Sequence, residues 1–164
     1  MAALNAGEFG WAEKFNEEYR PYLESSIRQD AYYYNIARIL HARGKNAEAL
    51  KYLARVISTH HPIKAVVKVI ELQILYELDE ADAIELKLDS LRHFFTRNDE
   101  MNSSMKESLK NFHRTYSRLL KAKTGEGKHT AAEIRKFLSG KRQSFSMEWL
   151  KEKIEELEGR KFIK

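Results

Sequence analysis

Apolar residues recur at spacings of three and four along almost the whole chain, a period that is typical of amphipathic α-helices. Turn residues such as Pro21 and Gly44 interrupt this period at only a few points. The pattern predicts eight helices, over about residues 8–20, 25–43, 47–59, 63–78, 80–97, 102–123, 130–138 and 146–157, with Asn46 as the cap of the third. Because no stretch shows a βαβ alternation, the fold class that we expect is all-α.

The predicted fourth helix carries a dense set of apolar residues: Val66, Val67, Val69, Ile70, Leu72, Ile74, Leu75 and Tyr76. Valine and isoleucine also favour strands. The run nevertheless continues for more than a dozen residues, whereas strands usually end after about 4 to 8 residues. A helix that is apolar around most of its circumference is normally buried on most sides. We therefore expect other parts of the protein to pack against this helix on two sides.

Composition narrows the class of protein. Of the 164 residues, 43% are apolar and 32% are charged, which is the balance of a globular protein. The sequence has no cysteine, which excludes a disulfide framework, a thiolate zinc site and a cysteine nucleophile. No apolar run approaches the roughly 20 residues that cross a bilayer, and residues 1–8 lack the basic start and apolar core of a secretion signal. We therefore expect a cytoplasmic protein without a membrane span.

Charge is distributed unevenly, although the net value is only +5. Residues 1–103 carry 13 basic and 16 acidic side chains, whereas residues 104–164 carry 16 basic and 8 acidic ones. Any surface that attracts nucleic acid or another polyanion is therefore expected in the last third of the chain.

The chain also contains an internal repeat with a period of 35 residues. Residues 36–45 align with residues 71–80. The apolar positions of the following helices then coincide: Ala49 with Ile84, Leu53 with Leu88, and Val56 with Leu91. A period of this length is that of a pair of helices.

These positions resemble the tetratricopeptide repeat. Residues of the expected type stand at the family's positions: Tyr33, Ile36, Ala37 and Leu40 in the first helix, Gly44 at the turn, and Ala49, Leu53 and Val56 in the second helix. Residues 25–61 form this matching repeat. Residues 62–98 form a degenerate one, in which Lys68, Glu71 and Asp79 replace the aromatic, the aliphatic and the glycine. The resemblance implies antiparallel helix pairs in a right-handed superhelical array.

Residues 7–24 resemble the second half of another repeat, because Gly7, Ala12 and Tyr19 are spaced like Gly44, Ala49 and Val56. A repeat array rarely begins half-way through a unit. We therefore expect the chain to be the C-terminal part of a longer protein, similar to bacterial helical-repeat proteins, with residues 99–164 as a basic helical cap. An uncovered first helix would expose Trp11 and Phe15, so self-association is a further expectation.

In tetratricopeptide arrays the first helix of each pair lines a concave groove in which peptides bind. The resemblance places six residues there: Tyr34, Arg38, His41, Gln73, Tyr76 and Glu77. One family variant clamps a terminal carboxylate with a lysine and an asparagine, but Tyr34 and Arg38 stand at those places, so this clamp is absent. The leading function is a non-catalytic scaffold that binds a peptide or a helical protein in this groove. The alternative is that these residues form an ordinary solvated face.

The basic last third offers a second candidate surface, formed by Arg114, Arg118, Lys121, Lys123, Lys128, Arg135, Lys136, Lys141 and Arg142. Phe112, Tyr116 and Phe137 are interleaved with these cations, so the segment could hold phosphates and stack bases. Alternatively, aromatics at helical spacing belong to a core and the cations solvate the cap. The second function that we consider is therefore an adaptor for nucleic acid or an anionic surface.

Catalysis has little support in the sequence. The six histidines do not form a His-x-x-Glu-His arrangement, and His60 and His61 precede Pro62 as they would at a helix end. Residues 125–128 have the composition of a phosphate loop without its spacing or its preceding strand. We expect no catalytic residue, no metal and no cofactor.

Overall fold

A computed structural model describes residue 4 and residues 6–160, leaving out the side chain of residue 160. This part of the chain contains eight α-helices and no strand, which confirms the all-α fold class. The helices are α1 Phe9–Tyr19, α2 Arg28–Ala42, α3 Asn46–Leu53, α4 His61–Glu77, α5 Ala81–Thr96, α6 Ser103–Thr124, α7 Ala131–Ser139 and α8 Met147–Arg160. A 3₁₀ turn, Arg20–Tyr22, follows α1 at the predicted break.

All eight predicted helices are present, but α3 ends at Leu53, six residues before its predicted end. The side chain of Asp30 on α2 provides a physical reason. Asp30 is buried, and its Oδ1 accepts the backbone N–H of Ile57 at 3.0 Å. This N–H is therefore bonded outside the helix, and the chain passes from α3 to α4 in irregular conformation.

The chain forms two compact units, one ending at Ala81 and the other beginning at Asp82. The N-terminal unit contains α1 to α4, and the C-terminal unit contains nearly all of α5 and then α6 to α8. The sequence assigns α5 to the degenerate repeat, whereas its backbone contacts place it with the C-terminal unit. The domain boundary expected after residue 98 accordingly lies inside that unit.

Small residues allow close packing in the N-terminal unit. Ala37 on α2 and Ala49 on α3 are both fully buried. The core there consists of Ala37, Leu40, Ala49, Leu53, Ile70 and Ile74 from α2, α3 and α4. These include the small residues that the repeat places where two helices meet, since a small side chain lets helix axes approach.

Two turns of the N-terminal unit have the same backbone geometry, 35 residues apart. Gly44 and Asp79 adopt the left-handed conformation, with φ of 74° and 58°, and a helix begins two residues after each. The amide after the left-handed residue donates to the carbonyl five residues before it, from Lys45 to Leu40 at 2.8 Å and from Glu80 to Leu75 at 3.2 Å. Both turns therefore contain the hydrogen bond that defines a Schellman motif.

A separate core joins α6, α7 and α8 in the C-terminal unit. Its fully or almost fully buried residues are Leu109, Phe112, Tyr116, Leu119, Ile134, Leu138, Leu150 and Ile154. Asn102 caps α6 by accepting the amide of Met105 at 2.8 Å, and Gly125 ends that helix with φ of 78°. Thr130 and Glu133 form a capping box at the start of α7. These caps satisfy backbone groups that a helix end leaves unpaired.

Candidate functional site

Tyr34 and Arg38 lie one turn apart on α2, and their side chains contact each other. The Arg38 guanidinium carbon is 5.7 Å from the centroid of the Tyr34 ring, within the range of a cation–π interaction. Burial raises the pKa of the Tyr34 phenol, and the positive charge of Arg38 partly offsets that effect. Both side chains remain partly accessible.

His41 and Glu77, the groove residues at the ends of α2 and α4, are joined through Asn46 at the start of α3. Nδ1 of His41 lies 2.8 Å from Oδ1 of Asn46, and Nδ2 of Asn46 donates to Oε2 of Glu77 at 3.2 Å. The sequence suggests Asn46 as a helix cap, but it is the first residue of α3 and makes no capping hydrogen bond. Its side chain instead forms hydrogen bonds that connect the start of α3 with the ends of α2 and α4.

The other two expected groove residues are buried. Gln73 is 6% exposed and Tyr76 is 4% exposed, so neither presents appreciable surface to a partner. Their helix, α4, is apolar around most of its circumference, and Val69, Ile70, Leu72, Ile74 and Leu75 are buried as well. These values agree with the expectation that α4 is covered, and they leave Gln73 and Tyr76 little surface in the groove where the resemblance places them.

Helix α1 carries the most exposed aromatic surface of the described chain. Trp11, Phe15, Tyr19 and Tyr22 are 57%, 42%, 53% and 84% exposed. We call these four residues the aromatic stripe, because spacings of four, four and three place them along one side of the helix and its 3₁₀ extension. The sequence indicates an uncovered Trp11 and Phe15, but it does not show that Tyr19 and Tyr22 continue the same surface.

The rings of the aromatic stripe stack on one another. The centroids of Trp11 and Phe15 are 5.0 Å apart and those of Phe15 and Tyr19 are 4.2 Å apart, with an interplanar angle of 23° in each pair. Tyr19 and Tyr22 follow at 6.1 Å in a tilted arrangement. Phe15 therefore has a ring against each of its faces and presents mainly its edge, whereas Tyr22 is not stacked and is 84% exposed.

Another side of α1 is fixed to α2 by polar contacts. Asn35 donates to Oδ1 of Asn16 at 2.9 Å, and the Tyr32 hydroxyl donates to Glu17 at 2.7 Å. Arg43 donates to both carboxylate oxygens of Glu13, at 2.5 and 3.0 Å. These bonds orient α1 and leave the aromatic stripe outside the packed side of the helix.

Two exposed glutamates lie beside the aromatic stripe. Of the five glutamates between residues 8 and 24, Glu13 and Glu17 contact α2, whereas Glu8 and Glu18 are exposed near the stripe. Lys14 lies 3.7 Å from Glu18 one turn on, and both side chains are exposed. Glu8, just before the helix, is also exposed. The surface around the stripe is therefore apolar with an acidic rim.

In the C-terminal unit, two expected basic residues share one aromatic ring. The guanidinium carbon of Arg118 lies 3.7 Å from the centroid of Phe137, and Nζ of Lys141 lies 4.6 Å from the same centroid. Phe137 is thus in contact with cations and is only half-exposed. Phe112 and Tyr116 are fully buried. These burial values favour the core interpretation over base stacking for Phe112 and Tyr116.

The predicted basic residues of the C-terminal unit differ in whether a carboxylate lies close to them. Arg135 binds Glu158 through two hydrogen bonds, at 2.7 and 3.2 Å, and lies 3.6 Å from Glu155. Lys123 is half-buried. Within the described part of the C-terminal unit, the remaining cations have no carboxylate within 4.0 Å: Arg114, Arg118, Lys121, Lys128, Lys136, Lys141 and Arg142.

The glycine-containing loop after α6 serves as a helix end. The amide of Gly127 donates to the carbonyl of Lys121 at 2.9 Å, so this N–H is already bonded within the loop. A Cβ at Gly127 would lie 2.9 Å from the Cβ of Lys121. Glycine at this position allows the loop to fold back against α6.

Among the described residues, no group of three histidine, aspartate or glutamate side chains is arranged to hold a metal ion. No helix among these residues has the length and apolar character needed to cross a membrane.

Comparison of the chain with protein-family models, with curated proteins and with solved structures finds no match.

Proposed function

We propose that the chain is a non-catalytic protein-interaction scaffold, built from tetratricopeptide-like helix pairs, which binds a helical or peptide partner. The observation that carries this proposal is the aromatic stripe on α1. Four aromatic side chains stand together with 42% to 84% of their surface exposed. Large exposed apolar patches on globular proteins mark sites where a partner binds.

The repeated turn geometry supports the helix-pair part of the proposal. Gly7, two residues before α1, is also left-handed, with φ of 75°, as are Gly44 before α3 and Asp79 before α5. Each of these three residues stands five positions before a residue of the repeat pattern: Ala12, Ala49 and Ile84. In this assignment α1 is the second helix of a pair, and the first helix of that pair would pack along it.

The binding surface in this proposal differs from the groove that the resemblance implies. Gln73 and Tyr76 are buried, and His41 and Glu77 are engaged with Asn46. Of the groove residues, only Tyr34 and Arg38 form a partly accessible pair that is not part of this polar cluster. The aromatic stripe offers more apolar surface than these residues do, so we assign partner binding to α1.

Site-specific photo-crosslinking in cells of the source organism tests this function. A photoreactive p-benzoylphenylalanine replaces Tyr19 in one variant and Ile57 in a matched control, since Ile57 is 84% exposed on a loop of the same unit. We expect a discrete cross-linked protein from position 19 that is absent from position 57. No cross-link, or the same products from both positions, would contradict the proposal.

A second candidate function, binding of a polyanion through its backbone, is favoured by the cations of the C-terminal unit that lack carboxylate partners. Arg114, Arg118 and Lys121 recur at spacings of four and three on α6, and therefore share one side of that helix. Because Phe112 and Tyr116 are buried, such binding would rely on phosphate charge and not on base stacking.

Retention of the protein on immobilised heparin and on duplex DNA tests this second function. The double variant Lys121→Glu with Arg142→Glu should elute at much lower salt than the wild type. The control Arg135→Glu with Lys151→Glu changes the net charge equally, but at residues already paired with carboxylates. Equal losses in both variants would show that retention reflects net charge and not this surface.

A further inference from the structure

We propose that the occupant of the aromatic stripe is a single amphipathic α-helix with a basic rim, supplied by a partner and packed along α1. This inference rests on the proposed function and specifies the chemistry of the partner. Three features of the N-terminal unit lead to it: the size of the stripe, the stacking of its rings and the charge around it.

The stripe matches one helix in length and area. From Trp11 to Tyr22 it extends about 16 Å, or three helical turns. With 150–250 Å² available per aromatic side chain, these exposed fractions correspond to roughly 350–600 Å² of free surface. A stable interface between two folded proteins buries about 800 Å² on each. The stripe alone is therefore small for a homodimer and suited to one helix face.

The stacked rings determine which side chains fit. Flat ligands such as sugars and bases bind to open ring faces, but Phe15 has ring neighbours on both sides, at 5.0 and 4.2 Å. The accessible ring edges and the notches between them suit branched aliphatic side chains, as in the packing of one helix into the grooves of another. Because the rings already hold one another in place, little side-chain entropy is lost on binding.

Charge at the rim selects the flanking residues of the partner. Glu8 is exposed at the start of α1, and the exposed Glu18 lies between successive turns of the stripe. Lys14 neutralises only part of this charge. Lysine or arginine beside the apolar positions of the partner would complement the rim, and glutamate there would be repelled.

Synthetic peptides of about 18 residues, long enough to hold a helix when bound, provide the test. The first has leucines at positions i, i+4, i+7 and i+11 with flanking lysines. In the second, glutamates replace the lysines, and the third has the composition of the first in scrambled order. The full chain carries Trp149→Phe, which leaves Trp11 as the single tryptophan, so its emission reports binding at the stripe.

The lysine peptide should shift Trp11 emission to the blue and bind at least tenfold more tightly than the glutamate and scrambled peptides. Phe15→Glu should remove this binding, whereas Ile57→Glu, at an exposed apolar site away from the stripe, should leave it within twofold. Glu18→Lys should narrow the gap between the lysine and glutamate peptides. Circular dichroism checks that each variant remains folded.

The outcomes separate this inference from the proposed function. If position 19 cross-links to a protein but no peptide binds, the scaffold function stands and the helical partner is wrong. If lysine and glutamate peptides bind equally, the basic rim is wrong. If sedimentation shows a dimer without peptide that Phe15→Glu dissociates, a second copy of the chain is the occupant and the inference is overturned. Failure of both experiments would reject the proposed function itself.

Discussion

Single residues in the left-handed conformation determine where α3 and α5 begin. Gly44 has φ of 74°, a conformation that costs a residue with a Cβ roughly 1–2 kcal/mol. Aspartate tolerates this conformation better than most residues, which explains how Asp79, with φ of 58°, can replace the glycine of the repeat. The backbone turn is thus retained although the residue type differs.

Replacing Gly44 with alanine should lower the free energy of unfolding by about 1–2 kcal/mol. A Cβ at this position meets no atom within 4 Å, so the loss would come from backbone strain and not from a clash. Urea denaturation measures it. In the control Gly10→Ala, in the helical conformation of α1 and equally free of neighbours, stability should be unchanged or rise by up to about 1 kcal/mol. Equal effects at both positions would contradict the assigned turn.

His113 provides a second residue with a defined energetic role. It is half-buried on α6, where its ring meets Phe95 edge-on at a centroid distance of 5.8 Å. Burial lowers the pKa of His113, and the charges of Arg92 and Arg114 lower it further, while the Leu88 carbonyl and Asp89 act in the opposite direction. The neutral imidazole is therefore favoured in the folded protein.

This shift implies that the protein loses stability as the medium becomes acidic. Below about pH 6.5, the ordinary pKa of histidine, the unfolded chain takes up a proton more readily than the folded one. The contribution of His113 is therefore complete above that pH and falls as the pH drops towards its lower, folded-state pKa. Urea midpoints between pH 8 and 5 should decrease less in His113→Gln than in the wild type. Parallel pH profiles would show that His113 does not titrate as inferred.

At the scale of the helices, the contact between α2 and α3 depends on two alanines. Ala37 and Ala49 are completely buried in the same cluster as Leu40 and Leu53. Protein interiors are close-packed, so an enlarged side chain at such a contact strains its neighbours. The repeat pattern identifies these two positions from the sequence because both carry small residues at fixed spacing.

Ala49→Leu should therefore destabilise the protein by about 1–3 kcal/mol through overpacking. Ala47 lies on the exposed side of the same helix, and Ala47→Leu should change the free energy of unfolding by no more than about 0.5 kcal/mol. Thermal or urea denaturation of the two variants makes the comparison. A similar, small change in both would mean that α2 and α3 are not closely packed at Ala49.

The helices could be predicted from the sequence because a period of three to four residues is a local property. The end of α3 could not, since it involves the buried Asp30, 27 residues before the Ile57 amide that it accepts. The burial of Gln73 and Tyr76 was also not predicted. The family positions imply that one side of α4 is exposed, but apolar residues occupy nearly the whole circumference of this helix. The dense apolar pattern of α4 indicated burial, in agreement with the structure, whereas the family positions implied exposure.

At the scale of the whole molecule, the two units carry different surfaces. The N-terminal unit presents the aromatic stripe with its acidic rim, and the described part of the C-terminal unit presents cations without a carboxylate within 4.0 Å. The uneven distribution of charge could be read from the sequence. The pairing of individual cations could not be predicted from the sequence, because Arg135 contacts Glu158 only when α7 and α8 pack together. The sequence predicted only part of the aromatic stripe, namely the exposure of Trp11 and Phe15.

The central claim is that the aromatic stripe binds the partner of this protein. Its most direct test is to purify the protein cross-linked from position 19 and to measure its affinity for the wild type, Phe15→Glu and Ile57→Glu. We predict that Phe15→Glu weakens binding at least tenfold, because it places a charge in the middle of the stacked rings. Ile57→Glu should change it less than twofold. Equal affinities for all three proteins would contradict the claim.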